Sequence, residues 1–130
     1  MAKQYLSRIA LLVADYDEAI AYYTRKLGFE LLEDTPRGPG KRWVVVAPKG
    51  AKECAFVLAK AASETQRAAV GNQSGGRVFL FLQTDDFWND YNKMKAQGVE
   101  FTEEARDEVY GIVVVFRDLY GNLWDFIQPK

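Results

Sequence analysis

Short apolar runs alternate along the chain with amphipathic stretches and with breaks that contain glycine or proline. The first run, residues 8–14, is apolar and contains β-branched positions, which predicts a buried strand. Asp15 is followed three residues later by Glu18, the spacing of a capping box, so we expect a helix to begin there. Apolar residues then recur at helical spacing as far as Gly28, a residue suited to the left-handed turn that ends a helix.

Three further strands are expected after this helix. Residues 29–34, 42–48 and 53–61 form apolar or alternating runs of the kind found in strands. Residues 35–41, between the first two runs, contain two prolines and two glycines and predict a loop. The first half of the chain therefore has the predicted order β-α-β-β-β.

The second half of the chain repeats this order. Its predicted elements are a strand, a helix capped by Asp86 and ended by Gly98, and three strands, at residues 77–83, 86–98, 99–104, 111–118 and 123–128. The sequence LGFELLED, from residue 27, aligns with QGVEFTEE, from residue 97, at an offset of 70 residues. An internal repeat of this kind predicts two modules that pack around a shared concavity.

The repeat defines the expected domain organisation. We expect one domain over residues 1–130, with module one at about 5–61, a connector at 62–76 and module two at about 77–128. Within the connector, Ser63 and Gln66 predict a short capped helix. The glycine-rich residues that follow it, 71–76, predict a flexible link.

Composition narrows the possible functions. The chain has 130 residues, is 48% hydrophobic and carries a net charge of −1, so we expect no surface for nucleic acid or for an anionic membrane. Cys54 is the only cysteine and there is no histidine, which excludes an internal disulfide, Ser-His-Asp and Cys-His catalysis, and histidine-containing metal sites. No apolar run is long enough to span a membrane, so we expect a cytoplasmic protein.

Two motifs resemble a known family. The segment DYDEAIAYYTRKLGF starts at Asp15, and the segment FRDLYGNLWDFIQ starts at Phe116. Together they are similar to the signature of the glyoxalase / bleomycin-resistance / extradiol-dioxygenase superfamily, which has the vicinal oxygen chelate fold. The resemblance implies an α+β fold, in which two βαβββ modules form a curved eight-stranded mixed sheet, an incomplete barrel around a ligand cavity. It also implies a homodimer.

The resemblance further implies four positions at which family enzymes hold a divalent metal, typically with two histidines and two glutamates. In this sequence the two first-strand positions are Arg8 and Phe79, and the last-strand position of module two is Asp125. The last-strand position of module one falls near Val57, with a register uncertainty that includes Ala55. A single carboxylate beside an arginine and apolar groups cannot hold such an ion, so we expect no metal and no other cofactor.

Strand alternation predicts which side chains line the cavity. If Arg8 points inward, every second residue along the same strand does so too, and the same rule applies to the strands of module two. Aromatic walls with few polar groups suit a small aromatic or conjugated ligand, by stacking. The expected ligand-binding residues are Arg8, Leu12, Trp43, Phe56, Phe79, Phe81, Gln83, Tyr110 and Asp125. The charged run at residues 95–108 is expected to be a solvated edge.

Three functions remain open at this point. Arg8 and Asp125 both occupy metal positions, and we expect them to form an ion pair in place of the metal, which favours a metal-independent, sequestering protein of the resistance type. The alternative is a glyoxalase-like lyase or isomerase, or a dioxygenase-related enzyme, with a non-standard metal site built from Asp125 with Glu53 or Glu30. No catalytic residue is assigned, and Asp125 is only a weak candidate acid or base. The third possibility is a structural or regulatory dimer that binds no ligand.

Overall fold

The computed structural model describes residues 2–130, which form nine strands and three short helices. The chain divides into two compact units, one ending at Val70 and the other comprising Gly71–Lys130. Each unit contains one mixed sheet, of four strands in the first and five in the second, which confirms the α+β class and the two-module repeat. In the described part of the chain, no helix has the length and apolar character needed to cross a bilayer.

Module one is a four-stranded sheet with a helix between its first two strands. Its elements are β1 (Arg8–Val13), α1 (Tyr16–Ala21), β2 (Glu30–Pro36), β3 (Arg42–Ala47) and β4 (Ala55–Lys60), and α2 (Glu64–Ala69) follows in the connector. The strand order is β1-β4-β3-β2, with β1 parallel to β4 and the other pairs antiparallel. After α1 the chain continues through one π-helical turn, Tyr22–Lys26.

The predicted caps of module one are confirmed. Asp15 Oδ2 accepts a hydrogen bond from Glu18 N (2.8 Å), and the helical segment ends before Gly28, whose φ is +74°. At α2, Ser63 Oγ accepts a hydrogen bond from Gln66 N (3.1 Å). These signals were visible in the sequence because each cap joins residues close together in the chain.

One face of the first sheet is buried and the other is accessible. Leu11 and Val13 are buried, whereas Arg8 and Ala10, on the opposite face of β1, are exposed. The alternation predicted for β1 is therefore present. We call the face that carries Arg8 and Ala10 the open face of module one.

Module two also has a mixed sheet with a helix after its first strand, and it contains one additional strand. Its elements are β5 (Val78–Gln83), α3 (Phe87–Ala96), β6 (Glu100–Phe101), β7 (Arg106–Glu108), β8 (Gly111–Arg117) and β9 (Leu123–Pro129). The order is β5-β9-β8-β6, and β7 also pairs with β8. The described residues thus have nine strands where eight were expected, because the predicted strand at 99–104 is only two residues long and β7 follows it. The Glu103 carboxylate interrupts the ladder, since its Oε2 accepts a hydrogen bond from Val115 N (3.2 Å).

The cap of α3 differs from the prediction. Asp86 occupies the capping position, but its side chain makes no capping hydrogen bond. Instead, Gln128 Oε1 accepts a hydrogen bond from Phe87 N (2.8 Å). Because β9 is paired with β5, the end of β9 lies beside the start of α3, and Thr84 N donates to Ile127 O (2.9 Å). A residue 41 positions away in the chain therefore supplies the cap.

Candidate ligand-binding site

Strand pairing identifies the module-one counterpart of Asp125. Val45 faces Val57 across β3 and β4, and Val115 faces Asp125 across β8 and β9. Val45 and Val115 are themselves equivalent, because they are separated by the repeat offset of 70 residues. Val57, and not Ala55, is therefore the counterpart of Asp125.

The four positions at which the resemblance implies a metal hold an unsuitable set of side chains. They are a cation (Arg8), an aromatic ring (Phe79), an aliphatic group (Val57) and one carboxylate (Asp125). Across residues 2–130, no group of three or more His, Cys, Asp or Glu side chains is placed to hold an ion. The residues present do not fit the metal of the family enzymes, since a divalent cation needs several oxygen or nitrogen ligands.

Asp125 is a partly buried carboxylate in apolar surroundings. Its strand partners are Phe81 on β5 and Val115 on β8, and its Oδ1 is buried without a hydrogen-bond partner among residues 2–130. Burial raises the pKa of Asp125 above its ordinary value of 3.8. The charge of Arg106 opposes this rise in the pKa, and the charge of Glu103 adds to it. The charged form of Asp125 is thus held at a cost to the folded state.

Replacing Asp125 with leucine is expected to raise the free energy of unfolding at pH 7 by about 0.5–1 kcal/mol, because a buried oxygen without a partner is removed. The pKa of Asp125 is higher in the folded state than in the unfolded state. Ionised Asp125 therefore lowers the free energy of unfolding by its full amount above the folded-state pKa, and this loss disappears below the unfolded-state pKa. The gain should therefore shrink on acidification to about pH 3. Urea unfolding at both pH values checks this, with the exposed Asp85→Leu as control. A loss of stability at pH 7 in both Asp125→Leu and Asp125→Asn would contradict it.

Module two has a concavity of about 590 Å³. It is lined by Gly76, Arg77, Val78, Thr102, Glu103, Arg106, Val115, Arg117 and Leu123. Three aliphatic residues, Val78, Val115 and Leu123, form the apolar floor of this concavity, and Val78 and Leu123 are strand partners. Arginine side chains and Glu103 supply its polar groups.

The arginines of this concavity differ in how they are held. Glu103 holds Arg106 through two hydrogen bonds, Nε to Oε1 (3.1 Å) and Nη2 to Oε2 (3.4 Å), and these raise the pKa of Arg106. A hydrogen bond with Tyr110 adds to that rise in the pKa. Arg117 Nε lies 2.9 Å from Glu100 Oε2, and both of these side chains are largely exposed. Arg77 forms no ion pair within residues 2–130.

Module one has a smaller concavity, of about 410 Å³. It is lined by Tyr5, Ser7, Arg8, Leu32, Glu33, Val45, Ala47, Ala51, Lys52, Glu53, Cys54 and Ala55. Arg8, predicted from the sequence as a site residue, is exposed on its wall. The Arg8–Asp125 ion pair joins residues of different units and stays a prediction.

Three other predicted residues of module one do not line this concavity. Leu12 is half-buried on the open face. Trp43 is half-buried, and the Arg37 guanidinium lies over its ring at 5.8 Å. Phe56 is buried and stacks on Phe29, with ring centroids 6.3 Å apart, which places it in the core and not on the open face.

The predicted residues of module two are mostly accessible. Phe81 is 71% exposed and is the strand partner of Asp125, and Gln83 is also exposed. Tyr110 is 55% exposed and forms a hydrogen bond with Arg106. Phe79 is half-buried at a bulge between Val78 and Leu80, and Val78 takes the pairing position opposite Leu123. The strict alternation assumed for the start of β5 is therefore wrong, because a bulge adds one residue.

The charged groups of the module-two concavity were not predicted from the sequence. Glu103 and Arg106 fall within the run that was assigned to a solvated edge, and Arg77 and Arg117 received no role. Glu103 had a detectable signal, because the repeat offset aligns it with Glu33, which lines the concavity of module one.

A family model described as "Glyoxalase/Bleomycin resistance protein/Dioxygenase superfamily" matches residues 5–126. The chain belongs to this superfamily. The resemblance inferred from the two motifs is thereby confirmed. An uncharacterized protein of Shewanella frigidimarina is 54% identical over 127 residues, which cover 97% of this chain and 94% of that protein.

Two solved structures of similar proteins have the same fold. UcmS2 is 31% identical, with a TM-score of 0.84, and the match covers 97% of this chain and 98% of that one. TnmS3, an antibiotic binding protein from Streptomyces sp. CB03234, is also 31% identical, with a TM-score of 0.81 over 100% of this chain and 99% of that one. An antibiotic binding protein thus has a fold similar to that of this chain.

Proposed function

We propose that this member of the superfamily binds a small aromatic or conjugated molecule without a metal ion, as a sequestering, resistance-type protein. The observation that carries the proposal is the side-chain set Arg8, Phe79, Val57 and Asp125 at the metal positions, which retains one carboxylate and cannot complete a coordination shell. A chain that keeps the fold but not the metal ligands favours ligand capture over metal-dependent chemistry.

Ligand-sized space supports this proposal. The concavities of about 590 Å³ and 410 Å³ both lie within the range of roughly 300–1,000 Å³ typical of small-molecule sites. Next to Asp125, the ring of Phe81 is 71% exposed and available for stacking. In module one, Arg8, Leu12 and Trp43 are the proposed binding residues. In module two they are Phe79, Phe81, Gln83, Tyr110 and Asp125, which are not among the residues that line its concavity but include the strand partner of Val115, Asp125.

TnmS3 adds a second line of support. It is an antibiotic binding protein that is similar to this chain over its whole length. The proposal also includes a homodimer in the cytoplasm. Exposed Leu31 and Leu32 on the edge strand β2 are suited to contact with a second copy.

The catalytic alternative requires a different metal site. It would combine Asp125 with Glu53 or Glu30, and both glutamates are exposed in module one. No observation favours this arrangement, and the experiment below distinguishes it from binding.

The proposed function is tested by thermal unfolding of EDTA-treated protein with a panel of flat aromatic antibiotics, 2-naphthoate and 2-naphthamide. A ligand at about 100 times its Kd should stabilise the fold by about 2.7 kcal/mol, which corresponds to a rise in Tm of about 10 °C. Phe81→Ala should reduce this rise, whereas Val109→Ala, at a residue that is 95% exposed, should not. The proposal fails if no compound stabilises the protein, or if one divalent ion per chain binds tightly when added.

A further inference from the structure

The concavities of the two modules occupy equivalent positions in the repeat. Glu33 and Glu103, Val45 and Val115, and Ala47 and Arg117 each line their own module's concavity, and each pair is separated by 70 residues. The two sites therefore derive from the same place on the same scaffold. Differences between their side chains show how the sites have diverged.

Charge is the largest difference. The concavity of module one is lined by two cations, Arg8 and Lys52, and two anions, Glu33 and Glu53, so its charges balance. The concavity of module two is lined by three arginines and a single glutamate, an excess of two positive charges. This excess lies around an apolar floor, although the whole chain has a net charge of −1.

Two of the three arginines are exposed and are not held by Glu103. Arg106 is held by Glu103 and is thus largely neutralised. Arg77 has no ion pair within residues 2–130. Arg117 forms an ion pair with the exposed Glu100, and exposed ion pairs contribute only about 0–1 kcal/mol, so an anion can compete with Glu100 for this guanidinium.

We propose that the module-two concavity binds the anionic group of an aromatic ligand, and that Arg77 and Arg117 contact its carboxylate. This inference rests on the proposed function and adds the charge of the ligand to it. The apolar part of the ligand lies on Val78, Val115 and Leu123, which form the floor. An arginine guanidinium matches the planar geometry of a carboxylate. Asp125, the strand partner of Val115, lies beside this floor, and the charged lining residues that act on its carboxylate are Arg106 and Glu103, not Arg77 or Arg117.

The probes are 2-naphthoate and its uncharged isostere 2-naphthamide, titrated calorimetrically against the full chain. Naphthoate is expected to bind about tenfold tighter than naphthamide at low ionic strength, and this preference should fall as salt is added. Arg117→Ala introduces the residue that module one has at the equivalent position. It should weaken naphthoate binding about three- to tenfold and leave naphthamide binding unchanged, and Arg77→Gln should act in the same way.

Lys52→Gln, in the concavity of module one, is the matched control and should leave both affinities unchanged. Equal affinities for the two probes would overturn the charge assignment and leave the proposed function intact. A loss of naphthoate binding in Lys52→Gln but not in Arg117→Ala would overturn the choice of concavity. If neither probe nor any other aromatic compound of the panel binds, the proposed function falls and this inference falls with it.

Discussion

Replacing Asp118 with alanine is expected to lower the free energy of unfolding by about 3–5 kcal/mol, measured by urea denaturation. Asp118 is buried, and its Oδ1 accepts hydrogen bonds from the backbone N–H groups of Tyr120 (3.2 Å), Gly121 (3.1 Å) and Asn122 (2.9 Å). Its Oδ2 accepts from Asn122 Nδ2 (3.0 Å) and Trp124 Nε1 (3.1 Å). The substitution removes the carboxylate that these donors share.

The control for this prediction is Asp107→Ala, which removes an exposed aspartate of the same module that pairs with Lys130. That change should cost at most about 1 kcal/mol, because exposed ion pairs contribute little. Asp118→Asn keeps one carbonyl oxygen and should show an intermediate loss. If Asp118→Ala costs no more than Asp107→Ala, the carboxylate does not hold the turn. The hydrogen bonds of Asp118 give the aspartate of the final motif, FRDLYGN, a structural role in module two.

The second large effect is expected for Gly71→Ala, with a loss of about 2–4 kcal/mol. A Cβ at Gly71 would lie 1.9 Å from Tyr120 O, and the φ of Gly71 is +76°. The substitution is therefore opposed both by the backbone conformation and by a collision with main-chain atoms. Displacement of residue 71 would also disturb the hydrogen bond from Gln73 N to Asn122 Oδ1 (3.1 Å).

Gly75→Ala separates these two causes. Gly75 has a similar φ of +68°, but a Cβ there would meet nothing within 4 Å. Its substitution should cost about 1 kcal/mol, from backbone strain alone. Equal losses for the two variants would contradict the close contact at Gly71. Because Gly71 and Gln73 are fixed against the turn, the start of the segment that was expected to be a flexible link is anchored in module two.

The elements that the sequence predicted correctly depend on local signals. Asp15 and Ser63 bond to residues three positions away, and Gly28 ends its helix through its own backbone conformation. The cap of α3 was missed because Gln128 reaches Phe87 only after β9 has paired with β5. No pattern within one segment contains that information.

The candidate site was predicted less completely for the same reason. Residues on one strand, such as Phe81 and Gln83 on β5, follow from alternation once one of them is placed. The arginines of the module-two concavity are instead brought together from different strands, since Arg77 precedes β5 and Arg106 lies on β7, a strand that was not predicted. Phe56 was misplaced because its face depends on pairing with β1, where it lies opposite Ile9.

The central claim is that this superfamily member binds its ligand without a metal ion. Its most direct test is calorimetric titration of the tightest-binding compound of the aromatic panel into EDTA-treated protein, and into the same protein after addition of Mn²⁺, Ni²⁺ or Zn²⁺. We expect the same Kd in every case, within about twofold, which corresponds to about 0.4 kcal/mol. Binding that appears only after an ion is added, at one ion per chain, would contradict it.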